Sequence, residues 1–131
     1  MKFEKYQHVE KFDTIETHGI EDGMCYIFPK IDGTNGSVWN DENVICAGSR
    51  NRELTIESDN AGFYQWVLNQ SNIINLLTDN PKIRLYGEWL VPHTIKSYRD
   101  EAWRKFYVFD VMYEENYLSY EIYIELLEKY G

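Results

Sequence analysis

The sequence is poor in the residues that build covalently or metal-clamped scaffolds, with two cysteines, three histidines and three prolines in 131 residues. Cys25 and Cys46 fall in separate apolar runs. A disulfide framework is therefore excluded as the organising element, and both thiols are expected to be reduced and buried. His8, His18 and His93 show no ligand-like spacing with the cysteines, which excludes a structural zinc site. Positive charge is scarce as well: 13 Lys and Arg stand against 22 Asp and Glu, for a net charge of −9. A domain that grips nucleic acid over a broad basic face is excluded, so any such contact is local or lies in sequence outside these residues. No apolar run reaches the length of a secretory leader or a membrane span. The expected location is cytoplasmic, with no membrane partner.

What the chain does have is apolar and aromatic bulk: 44% hydrophobic residues, with eleven Tyr, six Phe and four Trp. That supports one domain with a packed core and argues against disorder. The first twenty residues are polar, with Val9, Phe12, Ile15 and Ile20 as their expected anchors. Met24–Phe28 reads as a strand that ends in a sharp turn on Gly33 and Gly36. Ser37–Trp39 and Val44–Ala47 flank the turn residues 40–43 and read as a hairpin. Asp59 or Asn60 caps an expected helix through Phe63, Trp66 and Val67 that runs on to Leu77 and stops at Asn80-Pro81. Residues 82–90 alternate as a strand does, and the continuous run 106–112 is expected to be a central strand. Ile122, Leu126, Leu127 and Tyr130 mark one face of a last helix ending at Gly131. The fold class is α+β, with antiparallel β-sheets and inserted helices.

The stretch Lys30-Ile31-Asp32-Gly33-Thr34-Asn35 concentrates the chemistry. If Met24–Phe28 is a strand, Lys30 and Asp32 leave its end on the same face, a lysine beside a carboxylate at a sheet rim. The bland reading is a surface salt bridge at a turn, which contributes little. Three further features bear on it: the arginine-bearing loop Ser49–Arg52, the glutamate of Tyr86-Gly87-Glu88-Trp89, and Phe106-Tyr107-Val108-Phe109-Asp110.

In order and spacing these four segments resemble the ATP-dependent RNA ligases of the covalent nucleotidyltransferase superfamily, in particular the phage RNA ligase 2-like branch associated with RNA repair. Lys30–Asn35 looks like motif I, Arg50 the arginine of motif Ia, Tyr86–Trp89 motif III and Phe106–Asp110 motif IIIa. The resemblance implies part of an adenylation fold like that of DNA ligases and mRNA capping enzymes, using ATP and Mg²⁺. It places AMP covalently on Lys30 as lysyl-AMP. Asp32 and Glu88 would act with Lys30 in catalysis and hold metal-bound water. Ile31, Gly33, Asn35, Arg50, Glu88 and Phe109 would contact the nucleotide, with Phe109 stacked on adenine. The competing readings are a solvated cation for Arg50, a solvated edge carboxylate for Glu88 and a core ring for Phe109.

The same resemblance leads one to expect a Glu-Gly motif IV and a lysine-rich motif V after motif IIIa, and neither is present. Residues 1–131 are therefore expected to be the N-terminal portion of an adenylation domain, with impaired activity alone and a tendency to self-associate or to recruit a complementing C-terminal segment. RNA or nicked duplex ends are the expected partners of the complete enzyme. Two alternatives stand beside the ligase: a non-catalytic half-domain that binds nucleotide or a partner chain, and another covalent nucleotidyltransferase such as a capping guanylyltransferase.

Overall fold

A computed structural model describes residues 1–131. The hairpin forms as the sequence suggests, with β1 Thr34–Asp41 antiparallel to β2 Val44–Gly48. Glu42 and Asn43 take φ of 50° and 70°, the paired positive values that match a two-residue turn to the strand twist. The Asn40 side chain ties this turn to the body. It accepts the Asn43 N–H at 2.9 Å and donates to the Leu77 carbonyl at 3.1 Å.

The strands β3 Ile83–Trp89, β4 Phe106–Tyr113 and β5 Asn116–Tyr117 complete one antiparallel sheet in the order β2-β1-β3-β4-β5. The expectation of a central β4 is corrected. Only Met112 and Tyr113 have partners in β5, so β1 and β3 form the middle of the sheet and most of β4 is half buried.

Three helices cover one face: α1 Phe63–Val67, α2 Ser71–Asp79 and α3 Tyr120–Tyr130. Val38, Leu85 and Val111 from the sheet meet Phe63, Leu77 and Tyr123 in one core. Each such side chain, fully buried, contributes about 1.5–3 kcal/mol. The glycines of the central strands have a steric purpose here. Gly36 and Gly87 are direct cross-strand partners, and together they cut a notch into which the Phe63 and Phe106 rings fit. A Cβ on Gly36 would lie 2.6 Å from Phe63 Cε1. The expected sharp turn on Gly33 and Gly36 is therefore replaced by an entry straight into β1. Gly33 is needed because its Cα packs against the backbone of Trp89 and Leu90.

The single helix expected up to Leu77 is two helices. Residues 69–71 are Asn-Gln-Ser where a continuing apolar stripe would need apolar side chains, and Gln70 is extended between the two segments. Asp59 does serve the first one. Its carboxylate accepts the N–H groups of Tyr64 at 2.9 Å and Gln65 at 3.1 Å, although Gly62 is the residue at the cap position. On α3 the inward set is Tyr123, Leu126, Leu127 and Tyr130, while Ile122 is exposed.

The second face of the sheet is covered by the first six residues. Phe3 lies against Gly48 and Trp39, Arg84 donates to the Lys2 carbonyl, the Tyr86 hydroxyl donates to the Glu4 carbonyl at 3.1 Å, and Tyr6 reaches Asp110. The anchors are thus Phe3 and Tyr6. The expected ones, Val9, Phe12, Ile15 and Ile20, are all exposed.

Met24–Phe28 is not a strand, since no other strand pairs with it. Instead Tyr26 and Phe28 set their rings against Tyr120 at centroid distances of 4.5 and 5.1 Å. Cys25 is consequently exposed, against expectation, whereas Cys46 is buried, and both are free. No helix is long and apolar enough to cross a membrane.

Candidate nucleotide site

β1 and β3 run antiparallel with Thr34 opposite Trp89 and Asn35 opposite Glu88. This register carries the 30–35 stretch onto the rim where β3 ends. Alternation then sends Glu88 to the face of Tyr86, opposite the helices. The Gly33 N–H donates to Glu88 Oε1 at 3.3 Å, which joins the lysine-bearing segment directly to the Tyr86–Trp89 segment.

Asp32 is held more tightly than its position in an irregular segment suggests, and one loop supplies all the contacts. The Ile95 N–H donates to its Oδ2 at 2.7 Å, and His93 Nδ1 lies 3.3 Å from its Oδ1. Its own N–H donates to the Tyr98 hydroxyl at 2.9 Å. The Ile95 N–H holds the Asp32 carboxyl below the ordinary aspartate range, against a smaller opposing effect of burial and with His93 adding to the lowering. Glu88 moves the other way. Burial raises it first, Asp32 nearby raises it further, and the Gly33 N–H and the Arg50 charge offset part of the rise. Two carboxylates within electrostatic reach are thereby pushed in opposite directions by their surroundings, a frequent signature of sites that handle protons or cations.

Of the residues expected at the site, the structure brings Asp32, Gly33, Asn35 and Glu88 to this rim, while Arg50 is exposed, makes no ion pair and is linked to it only by the pull of its charge on Glu88. Asn35 is buried and Ile31 half buried. Lys30 is exposed and makes no ion pair, so the bland surface salt bridge is absent. Phe109 lies further along the same face, at a β-bulge: Val108 is opposite Gly87 and Asp110 opposite Tyr86, leaving Phe109 as the extra residue. The simple pairing of Tyr107 with Phe109 on one face holds, but the bulge adds Asp110 to that face, where both are reached by Tyr6.

The sequence allows the tract 89–104 to be read as a loop bordering the substrate, but not the individual contacts that three of its residues, His93, Ile95 and Tyr98, make with Asp32. Two of the three hydrogen bonds use backbone N–H groups that no residue type advertises. His93-Thr94, following directly on the Glu88 segment, was the one available signal.

No group of three or more His, Cys, Asp or Glu side chains converges in a metal cage. Asp32 and Glu88 are two hard oxygen donors on one rim. That suits a magnesium-type cation, which takes one or two carboxylates and completes its shell with water and phosphate.

The profile of the RNA ligase family matches residues 25–131, and the chain belongs to that family. Its structure is similar to that of a Naegleria gruberi RNA ligase solved with pyrophosphate, at 24% identity and a TM-score of 0.58 over 76% of this chain and 30% of the ligase. A mutant of the same ligase solved with AMP and manganese matches at 26% identity and a TM-score of 0.57, over the same shares. A protein from Aquifex aeolicus described as an ATP-dependent DNA ligase matches over 96% of this chain and 35% of its own length, at 24% identity and a TM-score of 0.65. No curated protein sequence matches the chain significantly. These 131 residues span about a third of the length of the solved ligases.

Proposed function

We propose that this chain carries the nucleophile and the ribose and base contacts of an ATP-dependent RNA ligase. The observation that carries the reading is the Gly33–Glu88 contact, with Asp32 clasped beside it, inside a segment matched by the RNA ligase family. Lys30 Nζ, once deprotonated, attacks the α-phosphorus of ATP. A P–N bond forms, the bond to the bridging oxygen breaks, and pyrophosphate leaves, so that AMP remains on Lys30. The AMP then passes to a terminal 5′-phosphate, and that activated RNA end is sealed.

A free lysine near pKa 10.4 is neutral only about once in two thousand molecules at pH 7, a deficit of about 4–5 kcal/mol. A divalent cation such as Mg²⁺, held through water by Asp32 and Glu88, would supply positive charge that favours a neutral amine nearby and neutralises the phosphates. Arg50, with its planar fork, is suited to a phosphate or ribose oxygen. Glu88, anchored by the Gly33 N–H, keeps its second oxygen for a ribose hydroxyl or a metal-bound water. Phe109 offers a ring to adenine.

The test is transfer of label from α-labelled ATP in the presence of Mg²⁺, by the chain alone and with a segment bearing the family's motifs IV and V supplied as a second polypeptide. Acid-labile label on Lys30 is expected, strongest with the second segment. Lys30→Ala and Lys30→Arg both abolish it, since arginine does not release its proton near neutrality. Labelling that survives either substitution, or that fails in both mixtures, refutes the assignment.

A further inference from the structure

The bulge leaves Phe109 without a ladder partner of its own, so the pairing that fixes its neighbours does not fix the direction of its ring. Two tyrosines do that instead. From the helical side, the Tyr123 hydroxyl donates to the Phe109 carbonyl at 3.2 Å. On the other side, Tyr6 stacks on the Phe109 ring with centroids 5.0 Å apart and planes 26° from parallel, and its hydroxyl donates to the Asp110 carboxylate. One residue thus spans the bulge, with its ring on the extra residue and its hydroxyl on the next.

Tyr6 is itself locked in place. Its ring packs against Tyr86 at 5.1 Å and meets the edge of Tyr117 at 6.1 Å. The four residues before it are pinned by Arg84 on the Lys2 carbonyl and Tyr86 on the Glu4 carbonyl. Tyr6 is the only aromatic residue stacked on Phe109, which is half buried, so one ring face is covered and the opposite one is free of other rings.

We infer that Tyr6 is a positioning residue of the nucleotide site, backing the Phe109 ring so that its opposite face is presented to the adenine base. This rests on the reading of Phe109 as the base platform. The N-terminal strap then becomes a wall of the pocket: Tyr6 touches no substrate atom, and its effect on the base passes through Phe109. An aromatic pair of this kind is worth a factor of about three to ten in affinity when one ring is removed.

The test titrates the 131-residue chain with ATP and, separately, with inorganic tripolyphosphate, which offers the phosphates without a base, following both by NMR. Phe109→Leu is expected to weaken ATP about fivefold or more and to leave tripolyphosphate unchanged. Tyr6→Ala weakens ATP about three- to tenfold, again without effect on tripolyphosphate. Tyr6→Phe keeps the stack, gives up only the hydroxyl's bond to Asp110, and weakens ATP less than Tyr6→Ala does. In the Phe109→Leu background, Tyr6→Ala has no further effect on ATP. Equal loss of both ligands would reduce Tyr6 to a structural role, and tighter ATP binding by Tyr6→Ala would make it an obstruction; either overturns the inference. So does an undiminished effect of Tyr6→Ala in the Phe109→Leu background. If Phe109→Leu itself leaves ATP unaltered, or the parent chain binds no ATP even with the segment bearing motifs IV and V present, the platform reading fails and takes this one with it. A Phe109 effect without a Tyr6 effect sinks only the role of Tyr6.

Discussion

Gly87 sits within one of the two segments that form the rim of the site and Gly36 directly follows the other, which invites the view that glycine is there to let backbone approach a nucleotide. The structure gives a different reason, and it can be tested. A Cβ on Gly36 would meet Phe63 Cε1 at 2.6 Å and Cζ at 2.8 Å, atoms of a ring that is 1% exposed. Gly36→Ala therefore overpacks the notch, at a cost of about 2–3 kcal/mol. A 131-residue domain loses about 0.28 kcal/mol per degree near its midpoint, so the melting temperature should fall about 7–11 °C. Phe63→Leu removes the two atoms in the way and by itself loses about 1–1.5 kcal/mol of packing. In the double variant the methyl occupies the space the ring gave up. Its destabilisation should be smaller than the sum of the single effects by at least about 1 kcal/mol. Thermal or denaturant unfolding of the four proteins reads this cycle directly. If Gly36→Ala is neutral, or if the two changes simply add, the notch is not what fixes glycine at this position.

Glu88→Gln keeps an oxygen for the Gly33 N–H but removes a carboxyl whose ionisation burial disfavours. Because the folded-state value is raised, the parent's stability relative to the variant is greatest below the ordinary glutamate range and is lost as pH climbs through the raised value. Melting curves at pH 4 and pH 8 should show the variant gaining on the parent at the higher pH, and a constant gap would contradict the burial argument. Asp59→Ala removes the acceptor for the Tyr64 and Gln65 N–H groups, so it should lower stability by about 1–2 kcal/mol, or about 4–7 °C in melting temperature. A change within about 1 °C would show that Asp59 does not serve as the cap of α1.

The parts of this fold that could be read from the sequence are those where a local pattern and its partner lie close together. The hairpin of β1 and β2 has alternation, turn residues and pairing within fifteen residues (34–48), so nothing remote can override it. Met24–Phe28 carries as good an apolar pattern and forms no strand, because a strand exists only where another one pairs with it. The rings of Tyr26 and Phe28 found Tyr120 instead. The helix break at 69–71 was visible in principle as three polar residues on what should have been a continuous stripe, but the periodicity on either side concealed it.

The site divides along the same line, and the division says which of its residues a sequence can offer. Lys30, Asp32, Arg50, Glu88 and Phe109 are residue types that chemistry demands, at spacings a family resemblance recognises. The clasp on Asp32 comes from 61 to 66 positions away, and the backing of Phe109 from a tyrosine bonded across 104 positions to its neighbour Asp110. Such contacts leave no periodicity. Ile95 acts through its backbone N–H, so any residue but proline would do there, and no motif could record it. The groups proposed to react are thus legible, whereas those that hold them in place become visible only once the chain is folded. Substitutions in the loop that clasps Asp32 and in the first six residues should therefore change how the site is set without changing which groups it contains.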